Sequence, residues 1–219
     1  MLDDFLTVSE KPRRQSLGSQ ARVAWKPPPS GSFKVNIVGA LFPKTKQAGV
    51  GVIVRDEEGV VVAAMSRKLD YLLGALAIKP KALEFGVTFA EDVGLRDAVF
   101  KGDSQLVLNA VHGIGEAKVS VLNIIHEVLR KVQCFRTFDF LHTKRQGNAL
   151  AHLLAQHAQN VENMFVWLKD CPSQVAHACA HDVLALQSSK WKLSIFPSKK
   201  KKKKKKPMIS SNHLGYNVF

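Results

Sequence analysis

The chain has 219 residues, 46% of them hydrophobic, and a formal net charge of +14. That length suits one ordinary domain with tails, and that apolar content excludes wholesale disorder. Eight of the positive charges sit in the single run Lys199–Lys206, so the basic excess is mostly a tail property, with a milder positive bias on the body.

Both features suit a polyanion partner such as nucleic acid, although a mild positive bias is also common in proteins that bind none. The three cysteines, Cys134, Cys171 and Cys179, are few and scattered. They imply no disulfide framework and fit a reducing compartment. The first residues lack the basic stretch and apolar run of a signal peptide, and no segment approaches the roughly 20 apolar residues of a membrane span. The expected setting is the nucleus or cytoplasm, without a membrane partner.

Residues 1–24 read as a flexible leader. Trp25-Lys-Pro-Pro-Pro29 follows as an extended lead-in, because three prolines cannot join a sheet or helix interior. Phe33–Gly39, Ala48–Arg55 and Val60–Met65 read as three strands. The turn Asp56-Glu-Glu-Gly59 joins the last two, and short connections predict an antiparallel meander. Their near-continuous apolar runs predict a sheet covered on both faces.

The period then changes. Ala82, Phe85, Gly86, Phe89, Ala90 and Val93 recur at helical spacing, Gly94 closes the helix, and Pro80 is expected in its first turn. Ala98–Asp103 reads as a short strand. Ser104 is placed to cap a helix bearing Leu106, Val107, Ala110 and Val111, and Ser120 to cap one bearing Val121, Ile124, Ile125, Val128 and Leu129. Cys134–His142 reads as a fifth strand and Asn148 to about Gln159 as a helix.

The order β-β-β-α-β-α-α-β-α predicts an α/β fold with one five-stranded mixed sheet and helices on its faces. Met164–Leu168 and a helix over Gln174–Leu186 are expected to pack on as a C-terminal segment, residues 161–187. Residues 188–219 are expected to be a disordered lysine-rich tail.

The order, together with Lys34-Val-Asn36, Gly39-Ala40, Ala48-Gly-Val-Gly51, Arg55-Asp56, Gly86, Gly102-Asp103-Ser104, Arg145, Asn148 and Ala151-His152, resembles the ribonuclease H domains of the plant reverse-transcriptase-like family. The resemblance covers roughly Trp25 to Leu186, with the ribonuclease H-like domain proper at 25–160. It implies endonucleolytic hydrolysis of the RNA strand of an RNA–DNA hybrid by two Mg²⁺ ions held on clustered carboxylates.

The family's first acidic position falls on Val38, and its second, by distance from Gly86, on Lys79. The third is Asp103, retained, and the fourth is His152, as in the plant branch. The resemblance thus makes Asp103 and His152 the catalytic candidates, Asp103 the metal candidate, and Asn36, Ser104, Arg145 and Asn148 candidate nucleic-acid contacts. Magnesium is the implied cofactor, no small-molecule cofactor is implied, and a monomer is expected. A dication near the Lys79 ammonium is repelled by roughly several kcal/mol at close range. One carboxylate and one imidazole make a poor magnesium site.

Each of these residues is open to a second reading. Asp103 is also a favourable strand-end residue beside a helix N-terminus. Lys79 fits either a salt bridge to Asp103 or a phosphate contact. His152 fits a proton shuttle or a surface helix histidine. Asn148 fits a nucleic-acid contact or a helix cap. His177, His181, Cys171 and Cys179 match no common zinc spacing. The lysine run reads as a nuclear address or nucleic-acid grip, or as translated A-rich sequence without a role.

Three functions remain open on sequence: a weak or inactive ribonuclease H-like enzyme, a non-catalytic nucleic-acid-binding module, and a mobile-element-derived fragment without selected function.

Overall fold

The computed structural model describes residues 25–70, 74–115 and 118–195. The leader 1–24, the lysine run and the rest of the chain end lie outside the described residues.

The sheet is built from β1 (Phe33–Phe42), β2 (Gln47–Arg55), β3 (Val61–Leu69), β4 (Asp97–Gly102), β5 (Thr137–His142) and β6 (Met164–Leu168). Its spatial order is β5-β4-β1-β2-β3-β6. The β1–β2–β3 meander is antiparallel, and β4 and β5 join it in parallel. The sheet has six strands where the sequence predicts five. Met164–Leu168 pairs antiparallel with β3 and forms the sheet edge. A five-residue apolar run carries too little periodicity to separate a strand from a packed coil.

Three helices cover one face: α1 (Ala75–Asp92), α2 (Gln105–Val111) and α3 (Val119–Lys131). Val35 and Ile37 of β1 and Phe100 of β4 point into this layer, against Val87, Val107 and Ile125. The opposite face carries α4 (Ala149–His157) and α5 (Ser173–Ile195). There Val38, Ile53 and Ala64 pack against Leu150, Ala151 and Leu154, with Val175 and Cys179 of α5 behind them. Adjacent residues of β1 therefore serve opposite cores, as the two-residue period of a strand requires. Coverage of both faces explains the continuous apolar runs.

The helix boundaries differ from the sequence reading in three places. α1 starts after Gly74, so Pro80 lies beyond the first turn. α3 starts at Val119 with Lys118 at its N-cap, ahead of Ser120. Downstream, α5 continues past Leu186 to Ile195.

The contact between α4 and β2 is close enough to exclude side chains. A Cβ at Gly51 would collide with the Ala151 carbonyl oxygen and the Ala155 amide nitrogen, and one at Gly49 with the Ala155 carbonyl oxygen. The helix lies directly on the strand backbone, which Gly alone permits. α5 is tied down at its middle by Asp182, whose carboxylate pairs with Arg55 of β2 at 2.9 Å.

Candidate nucleic-acid interface and metal position

The cleft opens where β1, the first turns of α1, the end of β4 and the start of α4 converge. Gly39 lets α1 approach: a Cβ there would lie 2.8 Å from the Ile78 carbonyl oxygen. The next residue of α1, Lys79, is thereby held against the end of β4. Its Nζ donates to Asp103 Oδ1 at 2.9 Å and to Oδ2 at 3.2 Å. Of the two arrangements open to Lys79 in the sequence, the structure contains the salt bridge. Pro80 leaves that geometry intact.

Asp103 follows β4 directly, and the next residue, Ser104, is the N-cap of α2, accepting a hydrogen bond from the Val107 amide. Asp103, Lys79, Arg145 and His152 line one cavity of about 370 Å³. The structure thus brings together three sequence candidates, Asp103, His152 and Arg145, with Lys79 among them. Val38 does not share that cavity's lining. It is buried, 2% exposed, in the apolar cluster beneath α4.

His152 lies on α4. Arg145 reaches it from the 3-10 turn before the helix and donates from Nη2 to His152 Nε2 at 2.9 Å. Only a neutral imidazole accepts that bond. Burial, then the Arg145 and Lys79 charges, push the His152 pKa below its ordinary 6.5, against a smaller upward pull from Asp103. Nε2 of the imidazole is thus engaged as an acceptor, and the neutral form is favoured.

Asn36 and Asn148 are placed differently from the sequence expectation. They are 2% and 1% exposed, too buried to meet a polymer in this conformation. Asn36 Nδ2 donates to Asn148 Oδ1 at 2.9 Å, and Asn148 Nδ2 donates to the Ile37 carbonyl at 2.9 Å. The pair braces β1 against the turn that carries Arg145. Asn148 stands at the N-cap of α4 but makes no side-chain cap bond. The alternation of polar Lys34 and Asn36 with apolar Val35 and Ile37 was the available signal that one face of β1 holds a polar network.

A two-magnesium site requires several hard oxygen donors at one spot. The residues present do not fit it. Among the described residues lining the cleft the Asp103 carboxylate is engaged by an ammonium, Val38 of β1 is apolar and buried, and the imidazole accepts from a guanidinium. Among the described residues no group of three or more His, Cys, Asp or Glu side chains is placed to hold a metal ion.

A six-stranded mixed sheet in this order, with three helices on one face and two on the other, is a ribonuclease H-like fold. Ribonuclease H1 of the halophilic archaeon Halobacterium salinarum superposes with a TM-score of 0.56 at 23% identity, over 59% of this chain and 98% of that one. The N-terminal ribonuclease H domain of a Mycobacterium tuberculosis protein superposes at 0.53 with 21% identity, over 59% and 94%. LC11-RNase H1, solved with an RNA/DNA hybrid, gives 0.50 and 21%, over 59% and 97%. No curated protein sequence matches the chain. The sequence model of the reverse transcriptase-like family matches residues 36–158, and the chain belongs to that family.

Proposed function

We propose that this chain is a ribonuclease H-like domain that binds nucleic acid through the cleft around Lys79, Arg145 and His152, with hydrolysis of RNA–DNA hybrids weak or lost. The observation that carries the reading is the Lys79–Asp103 ion pair. An ammonium seated on the retained carboxylate opposes a divalent cation and cancels the negative charge that would repel a phosphodiester, leaving Arg145 as the cleft's attracting cation. The hybrid is the ligand class favoured, since a fold neighbour is described in complex with one. The lysine run Lys199–Lys206 adds a sequence-independent grip on any polyanion and fits a nuclear setting.

The test has two arms. Binding to an RNA–DNA hybrid, double-stranded RNA and double-stranded DNA is titrated against salt, in the whole chain and with the lysine run replaced by Ser. Salt-sensitive binding that survives loss of the run and weakens in Arg145→Gln is expected; no binding near physiological salt would remove the reading. In the second arm, labelled hybrid is incubated with Mg²⁺ or Mn²⁺. Robust cleavage abolished by Asp103→Asn would overturn the assignment of weak or lost hydrolysis.

A further inference from the structure

On the far side of the β5–α4 connection from the cleft lies a second cavity, of about 270 Å³. Its floor is the α4 face of the sheet, where Lys34 of β1, Arg55 of β2 and Lys101 of β4 come together. Trp25 and Lys26 of the lead-in segment, Thr143 and α5 close it. Among the described residues four cations line this space, and Asp182 is the one carboxylate.

Asp182 at Arg55 and Asp139 near Lys101 compensate the cations only in part. The Arg55 side chain is 3% exposed and pairs with Asp182 through one terminal nitrogen, while among the described residues its buried Nε meets no acceptor. Trp25 Nε1, in the same wall, is also buried without an acceptor among the described residues. Lys34 gives one hydrogen bond to the Lys26 carbonyl and lies 4.9 Å from the Trp25 ring centroid; the Arg55 guanidinium lies 4.6 Å from it. Burial, then Arg55 and Lys101, lower the Lys34 pKa from 10.5 to about 8. A buried donor left unsatisfied destabilises the fold, more when charged. Cationic side chains gathered with unmet donors match the donor set that tetrahedral oxyanions take up.

We propose that the Trp25–Lys34–Arg55–Lys101 cavity is a binding site for a small phosphate-class anion, separate from the cleft. Lys34, Lys101 and Arg55 supply charge, and the Lys34 and Lys101 ammonium groups supply the N–H donors. The same chemistry is offered by free phosphate, by a mononucleotide and by the terminal phosphate of an oligonucleotide. The proposal is independent of nucleic-acid binding at the cleft.

Thermal unfolding of the whole chain is followed in sodium phosphate against sodium chloride of equal ionic strength. Parallel arms use AMP and a 5′-phosphorylated oligonucleotide beside its unphosphorylated form. A saturable rise in midpoint with phosphate or AMP is expected, and it weakens about tenfold or more in apparent affinity in Lys34→Met/Lys101→Met. A response confined to the 5′-phosphorylated oligonucleotide also supports the site and identifies its source. No rise beyond chloride overturns the proposal. So does an equal rise in the double variant, which would place binding on the lysine run. If that variant does not fold, the Lys34 side chain is followed by NMR in the parent: phosphate should raise its pKa, and an unchanged value overturns the site.

Discussion

Lys79 Nζ lies 2.9 Å from one oxygen of Asp103 and 3.2 Å from the other. A bidentate contact of this kind joins the first turns of α1 to the end of β4 through a proton donor. Both side chains are partly exposed, at 32% and 16%, so the pair is screened. A double-mutant cycle with Lys79→Met and Asp103→Asn should give a coupling energy of about 1 kcal/mol by denaturant unfolding. Zero coupling would mean the two groups do not meet in solution.

The alignment of Val38 and Lys79 with acidic ligand positions predicts the outcome of Val38→Asp/Lys79→Glu. Position 38 is buried among apolar groups. In chelator, the new carboxylate should destabilise the fold by about 3 kcal/mol or more. Mn²⁺ or Mg²⁺ should restore much of that, and calorimetry should detect binding absent from the parent. A variant whose midpoint ignores both metals would refute the correspondence.

His152 supplies a pH prediction. Its folded pKa lies below 6.5, so the unfolded chain takes up the proton first as pH falls. Its contribution to stability is complete above 6.5 and declines as the pH drops toward the folded value. Histidine NMR titration should show the depressed value, and Arg145→Gln should move it upward. An unmoved titration would separate the two side chains.

Lys34 works at the alkaline end. Its amine faces Lys26 of the lead-in, Arg55 of β2, Lys101 of β4 and Asp182 of α5. Its folded value of about 8 lies below the ordinary 10.5, so the native chain releases this proton first. Stability should therefore gain from this group as pH rises from 8 towards 10.5. Lys34→Met should be more stable than the parent at neutral pH, with the difference closing across that window in parallel melts.

α5 hangs on a buried ion pair. Asp182→Asn leaves the Arg55 guanidinium without its carboxylate in a nearly closed site. A loss of about 3 kcal/mol is expected, with hydrogen exchange accelerating along α5 before the β1–β2–β3 meander. Uniform exchange would show that α5 unfolds with the sheet.

Strand and helix type were legible because β1 to β3 carry near-continuous apolar runs and α1 switches to a helical period. The Lys79–Asp103 pair was legible because Gly86 fixed the register of α1 and Gly102 ended β4. Other features depend on contacts distant in sequence. Asn36 meets Asn148, and Arg55 meets Asp182, across intervals that no local pattern spans. β6 is defined by the β3 edge beside it rather than by its own residues. Pro80 was misplaced because Gly74, which opens α1, makes no side-chain cap bond.

The glycines under α4 have a steric consequence. A Cβ at Gly49 or Gly51 would drive into helix backbone, and one at Gly86 into the Ile37 side chain. By the family resemblance, two acidic cleft positions have been replaced, yet these steric vacancies remain intact. A side chain at any of these three glycines would push a helix away from the sheet or displace a core residue, whereas a replaced cleft residue leaves the body folded.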